Sequence, residues 1–183
     1  MDVSNGVATD SQGSAVITGH TFSPSFPTTT GAQQVTKSSQ TDIFVSKFAS
    51  NGNLLWSTFY GGTDIDDAFQ AAVDPATDEL YILGNSKSAD FPIGAITGNF
   101  THQASLAGTQ DAILIKFNSL GQRVWSTYYG DIDAESGYGV TVDYSANVVI
   151  CGETFSAGGN ILGTPGVSQA SHGGGINDAF VAK

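Results

Sequence analysis

The chain has 183 residues, 40% of them hydrophobic, so it can bury one sizeable core and is not a disordered polymer. Seventeen acids against six bases give a net charge of −11, a surface that repels phosphate backbones and argues against nucleic-acid binding. No apolar run reaches the roughly 18 residues of a transmembrane helix, and the single cysteine, Cys151, rules out an intrachain disulfide.

Twenty-three glycines and only five prolines suit many short strands joined by turns. No stretch shows helical periodicity beyond about two turns. Residues 6–10 predict a first strand and 14–19 a second, joined through Gln12-Gly13. Asp42–Phe48 alternates with period two, Asn51-Gly52 supplies a tight turn, and Leu54–Tyr60 runs back rich in aromatic and β-branched residues.

The whole pattern then recurs. Residues 71–74 and 80–84 repeat the first pair of strands, and Asp111–Phe117 with 124–129 repeats the second. Asp42 and Asp111 lie 69 residues apart, as do Trp56 and Trp125. A third copy runs through 140–143 and 148–152 and ends with 178–183, inside its third strand. Eleven strands are expected, with strand one innermost and Val7, Val73 and Val142 lining the contacts between units. Long inserts, at 21–41, 86–110 and 154–177, separate strands two and three. Phe26-Pro27 and Phe91-Pro92 should pin the first two, the Phe ring plugging onto the core. The third offers Ile161 and Thr164-Pro165-Gly166 instead.

Four antiparallel strands per unit of about 65–69 residues is the grammar of a β-propeller blade. The runs Ile17-Thr18-Gly19-His20-Thr21, Ser25-Phe26-Pro27-Thr28-Thr29, Asp178-Ala179-Phe180-Val181-Ala182-Lys183 and Leu54-Leu55-Trp56-Ser57-Thr58-Phe59-Tyr60-Gly61-Gly62 resemble the SBBP-type β-propeller repeats of bacterial surface and secreted proteins. The resemblance covers essentially the whole chain. It implies an all-β fold of one domain over 1–183: blade 1 about 2–62, blade 2 about 63–130 and a partial, three-stranded blade 3 about 131–183. Three blades are fewer than the four to eight that close a ring. The chain is therefore expected to be cut from a larger propeller or completed by other copies, through strand pairing at its open edge.

Acids recur where strand four passes to the next strand one. Asp64 aligns with Asp133, and Asp66 with Glu135 and Asp2. Asp64, Asp66, Asp131, Asp133 and Glu135 are the candidate calcium ligands, since a hard cation takes several oxygens from a turn-rich loop. The competing reading is that each acid accepts backbone N–H bonds and pins its turn. Asp42, Asp111 and Asp178 open strand three, and Lys47, Lys116 and Lys183 close it; both sets read as structural. Trp56 and Trp125 read as core, and Cys151, in an apolar run, as a small buried hydrophobe. His20, His102 and His172 do not align, and no pair has metal-ligand spacing. Asn99-Phe100-Thr101 fits the glycan acceptor pattern. No catalytic residue or cofactor is expected.

What the resemblance implies about function is a non-catalytic scaffold or adhesion module, secreted or at a cell surface. It would bind a protein or glycan partner through its inserts and associate with further propeller repeats or other copies of the chain. The alternatives are a carbohydrate-active propeller, for which the inserts carry too few acids, and a surface-filament subunit built by strand complementation.

Overall fold

The structure is a computed structural model and describes residues 1–95, 101–157 and 171–183. It is all-β, with no helix among the described residues. Three antiparallel sheets follow one another along the chain. The first is β1 (Asp2–Thr9), β2 (Ala15–Thr21), β3 (Asp42–Phe48) and β4 (Leu54–Tyr60), in that order. The second is β5 (Asp66–Val73), β6 (Leu80–Ser86), β8 (Asp111–Phe117) and β9 (Arg123–Tyr129), with the two-residue β7 (Gly94–Ala95) beside β9. The third is β10 (Glu135–Val142), β11 (Val148–Thr154) and β12 (Asp178–Ala182). Sheets of four, five and three strands in sequence order suit propeller blades, and they do not close into a ring.

Strand one is longer in each sheet than its sequence pattern predicts, because a β-bulge interrupts the alternation. The bulge falls at Asn5, Phe69 and Tyr138, equivalent positions in the three repeats. An extra residue there shifts the register and bends the strand. It also drives the preceding carbonyls onto β2, β6 and β11. A Cβ on Gly19, Gly84 or Gly152 would lie 1.9, 2.1 or 1.9 Å from a backbone oxygen of Val3, Asp67 or Ser136. Only glycine admits that approach, which is why the second strand of every repeat carries it.

Two apolar layers hold the sheets together. Val16, Ile43, Val45 and Tyr60 of the first sheet pack against Ala71, Leu80, Ile82, Ile113, Ile115, Phe117 and Tyr128 of the second. The opposite face of the second sheet, with Tyr81, Leu83, Ala112 and Leu114, packs against Val140, Ile150 and Phe180 of the third. Val73 and Val142 join these layers, but Val7 is 63% exposed and does not. The repeat register explains the difference. Val7 is the counterpart of Ala71 and Val140, whose side of the sheet faces the sheet before, and no described sheet lies before the first. Cys151 is exposed for the converse reason: with Val181 it sits on the face of the third sheet turned away from the second.

The inserts lie along the outer strands instead of projecting freely. Thr29 donates its N–H to the Ser57 carbonyl, and Phe59 donates to Gln34. Tyr128 donates to Gln103, and β7 pairs with Trp125 and Ser126. The edges of β4 and β9 are thereby occupied, which blunts them against adventitious pairing. Phe26 rests on Phe44 and Phe59 with ring centroids 4.5 and 6.1 Å away, while Phe91 is buried against Tyr60 and Tyr128. Ile161 and Thr164-Pro165-Gly166 lie outside the described residues.

Candidate functional site

The most elaborate polar chemistry lies where one sheet passes to the next. Asp42 opens β3 with no solvent exposure. It accepts the N–H groups of Ser38 and Ser39 at 2.7 and 3.0 Å, and the Gln34 Nε2 at 3.0 Å. The Gln34 Oε1 accepts the Gly61 N–H at 3.2 Å, and its backbone N–H donates to Thr58 Oγ1 at 2.9 Å. Asp111 repeats this at β8: Ala107 and Gly108 N–H donate to it, and Gln103 Nε2 does so at 2.6 Å. Gln103 Oε1 takes the Gly130 N–H at 2.9 Å, and its own N–H goes to Thr127 Oγ1 at 2.8 Å. One glutamine thus locks each of the first two inserts to the start of β3 or β8 and to the end of β4 or β9.

A second acid stands across the glycine. Asp66 accepts Gly62 N–H at 2.7 Å, Ser86 Oγ at 2.5 Å and Ser88 Oγ at 2.9 Å. Glu135 accepts Asp131 N–H and Thr154 Oγ1, both at 2.7 Å. Asp2 makes the corresponding bond with Thr21 Oγ1. A Cβ on Gly61 would come within 2.7 Å of Asp66 Oδ2 and 3.1 Å of Asp42 Cγ; on Gly130 it would meet Asp111 Cγ at 2.4 Å and Glu135 Oε2 at 2.8 Å. Two carboxyl groups therefore face each other at each junction, both shut off from water. Burial pushes Asp66 up to about 7 despite its three hydrogen bonds, with the Asp42 charge adding to the rise. Burial raises Asp111 likewise, with Glu135 adding.

The sequence-predicted acids separate into two groups. Asp66 and Glu135 turn inward into these junctions. Asp64 and Asp131 instead accept the N–H of the following residue, Ile65 and Ile132, both at 2.8 Å, and the Asp133 N–H donates to Ser156 Oγ. Among the described residues no three His, Cys, Asp or Glu side chains converge to hold a metal. Asp178 accepts the Gly173 N–H, with His172 Nδ1 3.4 Å away. His20 faces Asp67 at 3.3 Å, and His102 stacks on Tyr129. Asn99 lies outside the described residues.

The strand-three lysines reach the β1–β2 type turn. Lys47 pairs with Asp10 at 2.8 Å, Lys116 with Glu79 at 2.6 Å and Lys183 with Asp143 at 2.7 Å. Burial pushes Asp10 up, but Lys47 and the Ser14 and Gln12 N–H groups outweigh it and hold Asp10 at about 2. Trp56 and Trp125 occupy equivalent places, opposite Lys47 and Lys116, and both are half-buried. Trp56 donates Nε1–H to the Ser119 carbonyl at 3.0 Å, with Gly121 against its ring.

Sequence reasoning missed Gln34 and Gln103. Their signal was present: they too are 69 residues apart, inside inserts that share little else beyond Phe-Pro. It also missed a cavity of about 430 Å³ between the first insert, at Gly31 to Gln33, and the β8–β9 hairpin, at Asn118 and Gln122 to Val124.

No family model matches the chain. It is similar, at 26% identity over 136 residues, to an uncharacterized WD repeat-containing protein of Acanthamoeba polyphaga mimivirus. The match covers 63% of this chain and 10% of that much longer protein. This distant likeness to a WD-repeat protein, with the three successive sheets, supports a propeller-type scaffold.

Proposed function

We propose that the chain is part of one β-propeller domain of SBBP type over 1–183, with blades at about 2–62, 63–130 and 131–183, acting as a non-catalytic scaffold or adhesion module. It works outside the cell or at its surface, and its inserts present the face that meets a protein or glycan partner. The carrying observation is the repeated glutamine lock. Inserts of unlike sequence are fastened to the sheets through the same Gln, Asp and Gly contacts at both junctions. A rigid frame with variable, anchored loops is the arrangement by which folds carry binding surfaces.

The paired carboxyls do not favour a hydrolase. A glycosidase needs its two acids open to the sugar, and Asp42, Asp66, Asp111 and Glu135 are each 0% exposed. The insert acid Asp90 is committed to Thr63, accepting its N–H and Oγ1–H at 2.9 Å. The outward faces of the first and third sheets favour completion by further repeats or by other copies. The test has two arms. The chain is screened against glycan and surface-protein arrays, and a membrane-impermeant label is applied to the intact source cells. Array binding that is lost when the insert residues exposed beside Gln34 and Gln103 are replaced, with labelling from outside, is expected. Turnover of a glycan substrate, or protection of the protein from the label, contradicts the proposal.

A further inference from the structure

The repeat gives each sheet two different faces. One packs against the sheet that follows and the other against the sheet before. On the third sheet the first kind of face is bare. Cys151, Ala179 and Val181 are exposed there, at the places that Leu83, Ala112 and Leu114 hold on the second sheet under cover of the third. On the first sheet the other kind is bare at Val7, whose counterparts Ala71 and Val140 lie in the two internal layers. The two bare faces are therefore the two halves of one junction, carried on the outermost sheets of the same molecule.

The internal junctions show which residues meet. The bulge residue of one sheet reaches the bulge of the next: Asn5 Nδ2 donates to the Ala68 carbonyl at 2.9 Å, and the Phe69 ring meets Tyr138 edge-on with centroids 5.8 Å apart. Leu83 of β6 stands on Gly137 of β10, where a Cβ would lie 2.8 Å from Leu83 Cγ. Beside it, Asn85 Oδ1 accepts the Gly137 N–H at 2.8 Å. The same register carried one sheet further brings Tyr138 to Asn5 and Cys151 to Ser4. It also puts the Glu153 carboxylate in the place of Asn85, as acceptor for the Ser4 N–H.

We propose that the bare face of the third sheet binds the bare face of the first sheet of a second copy, head to tail, in the register of the internal junctions. The proposal rests on the propeller reading and names the partner of its open sheets. The contact is made face to face through side chains, not by pairing at a strand edge, and it is heterologous because the two faces differ. Two copies bring six sheets together, within the four to eight of a closed propeller. The charge of −11 on each copy opposes the approach. Salt screens that repulsion, with a Debye length of about 8 Å at physiological strength and about 3 Å at 1 M, so association should strengthen as salt is added.

The test uses the full chain, with Cys151 as the reporter. Ser4→Cys puts a second thiol where Gly137 stands under Leu83, a place at which the two Cβ atoms lie within roughly 4.5 Å, the span of a disulfide. Mild oxidation should join the introduced thiol to Cys151 of a neighbouring copy, as read by non-reducing peptide mapping. Val181→Asp, at a position 75% exposed in the single chain, should weaken self-association in sedimentation at least about tenfold. A crosslink between two Cys151 thiols in the native chain would pair third sheets with each other and overturns the proposal. So does a chain that stays monomeric at high concentration and high salt, or an association unchanged by Val181→Asp. Arrays keep the two readings apart: a monomer that still binds there through its inserts removes the contact and leaves the module, whereas a monomer that binds nothing removes both.

Discussion

The junction between the first and second sheets differs from that between the second and third, although the same repeat builds both. In the first, Ile43, Ile82, Ile113, Ile115, Phe117 and Tyr128 are wholly buried, and Phe91 is wedged between the sheets. In the second, Leu83 and Ala112 are wholly buried too, but Tyr81, Leu114, Val140, Ile150 and Phe180 keep 4–8% exposure. Tyr60 is sealed in the first, while its counterpart Tyr129 is half-buried against Phe180. Trp56 is covered by the hairpin turn of the next sheet; Trp125 packs on Tyr81 of its own sheet. Equivalent residues therefore carry unequal energy, because burial depends on what the neighbouring sheet supplies.

The largest expected effect comes from truncating one phenylalanine in each junction. Phe117→Ala should cost about 3–5 kcal/mol, the usual range for a fully buried phenylalanine. Phe180→Ala, on the thinner layer, should cost about half of that, measured by urea unfolding. Equal losses would mean that the two junctions are packed alike.

The paired carboxyls sharpen the comparison through pH. Asp66 has a folded-state pKa raised to about 7. A raised carboxyl binds its proton more tightly when folded, so its contribution is fully present below the unfolded value of about 3.9 and declines as pH rises through about 7. Stability should fall by on the order of 2–4 kcal/mol between about pH 5 and 8, and Asp66→Asn should flatten that slope. A slope unchanged in Asp66→Asn would place the titration elsewhere.

Next in size are the tryptophans. Trp56→Ala should cost about 2–3 kcal/mol, since it removes a ring and leaves the Ser119 carbonyl without its donor. Trp125→Ala strips a half-buried ring from Tyr81 of its own sheet and should likewise cost about 2–3 kcal/mol. The smallest contrast is in the ion pairs. Lys47 and Asp10 are nearly buried, whereas Lys183 is 58% exposed. Lys47→Met should destabilise measurably and Lys183→Met hardly at all, as is usual for exposed pairs.

Much of this fold was legible in the repeat. The bounds of β3, β4 and β8 follow from alternation and from the turn chemistry of Asn51-Gly52 and Gly121. The starts of β1, β5 and β10 were not, because a bulge breaks the period that strand reading relies on. The placing of Val7 and Cys151 depends on which sheet faces lack a neighbour, and local sequence does not carry that. In the junctions, Asp42, Asp111 and Asp66 were visible as recurrent acids. Gln34 and Gln103 stayed hidden because each lies in an insert whose surroundings do not repeat.

Amide hydrogen exchange, resolved by residue, tests the central claim most directly: one repeat, sealed more completely at the first junction than at the second. Ile113 and Ile115, in β8 between two paired strands, should exchange only with global unfolding, while Phe180 and Val181 in the edge strand β12 should exchange far faster through local opening. Equal protection of β8 and β12 would contradict the account.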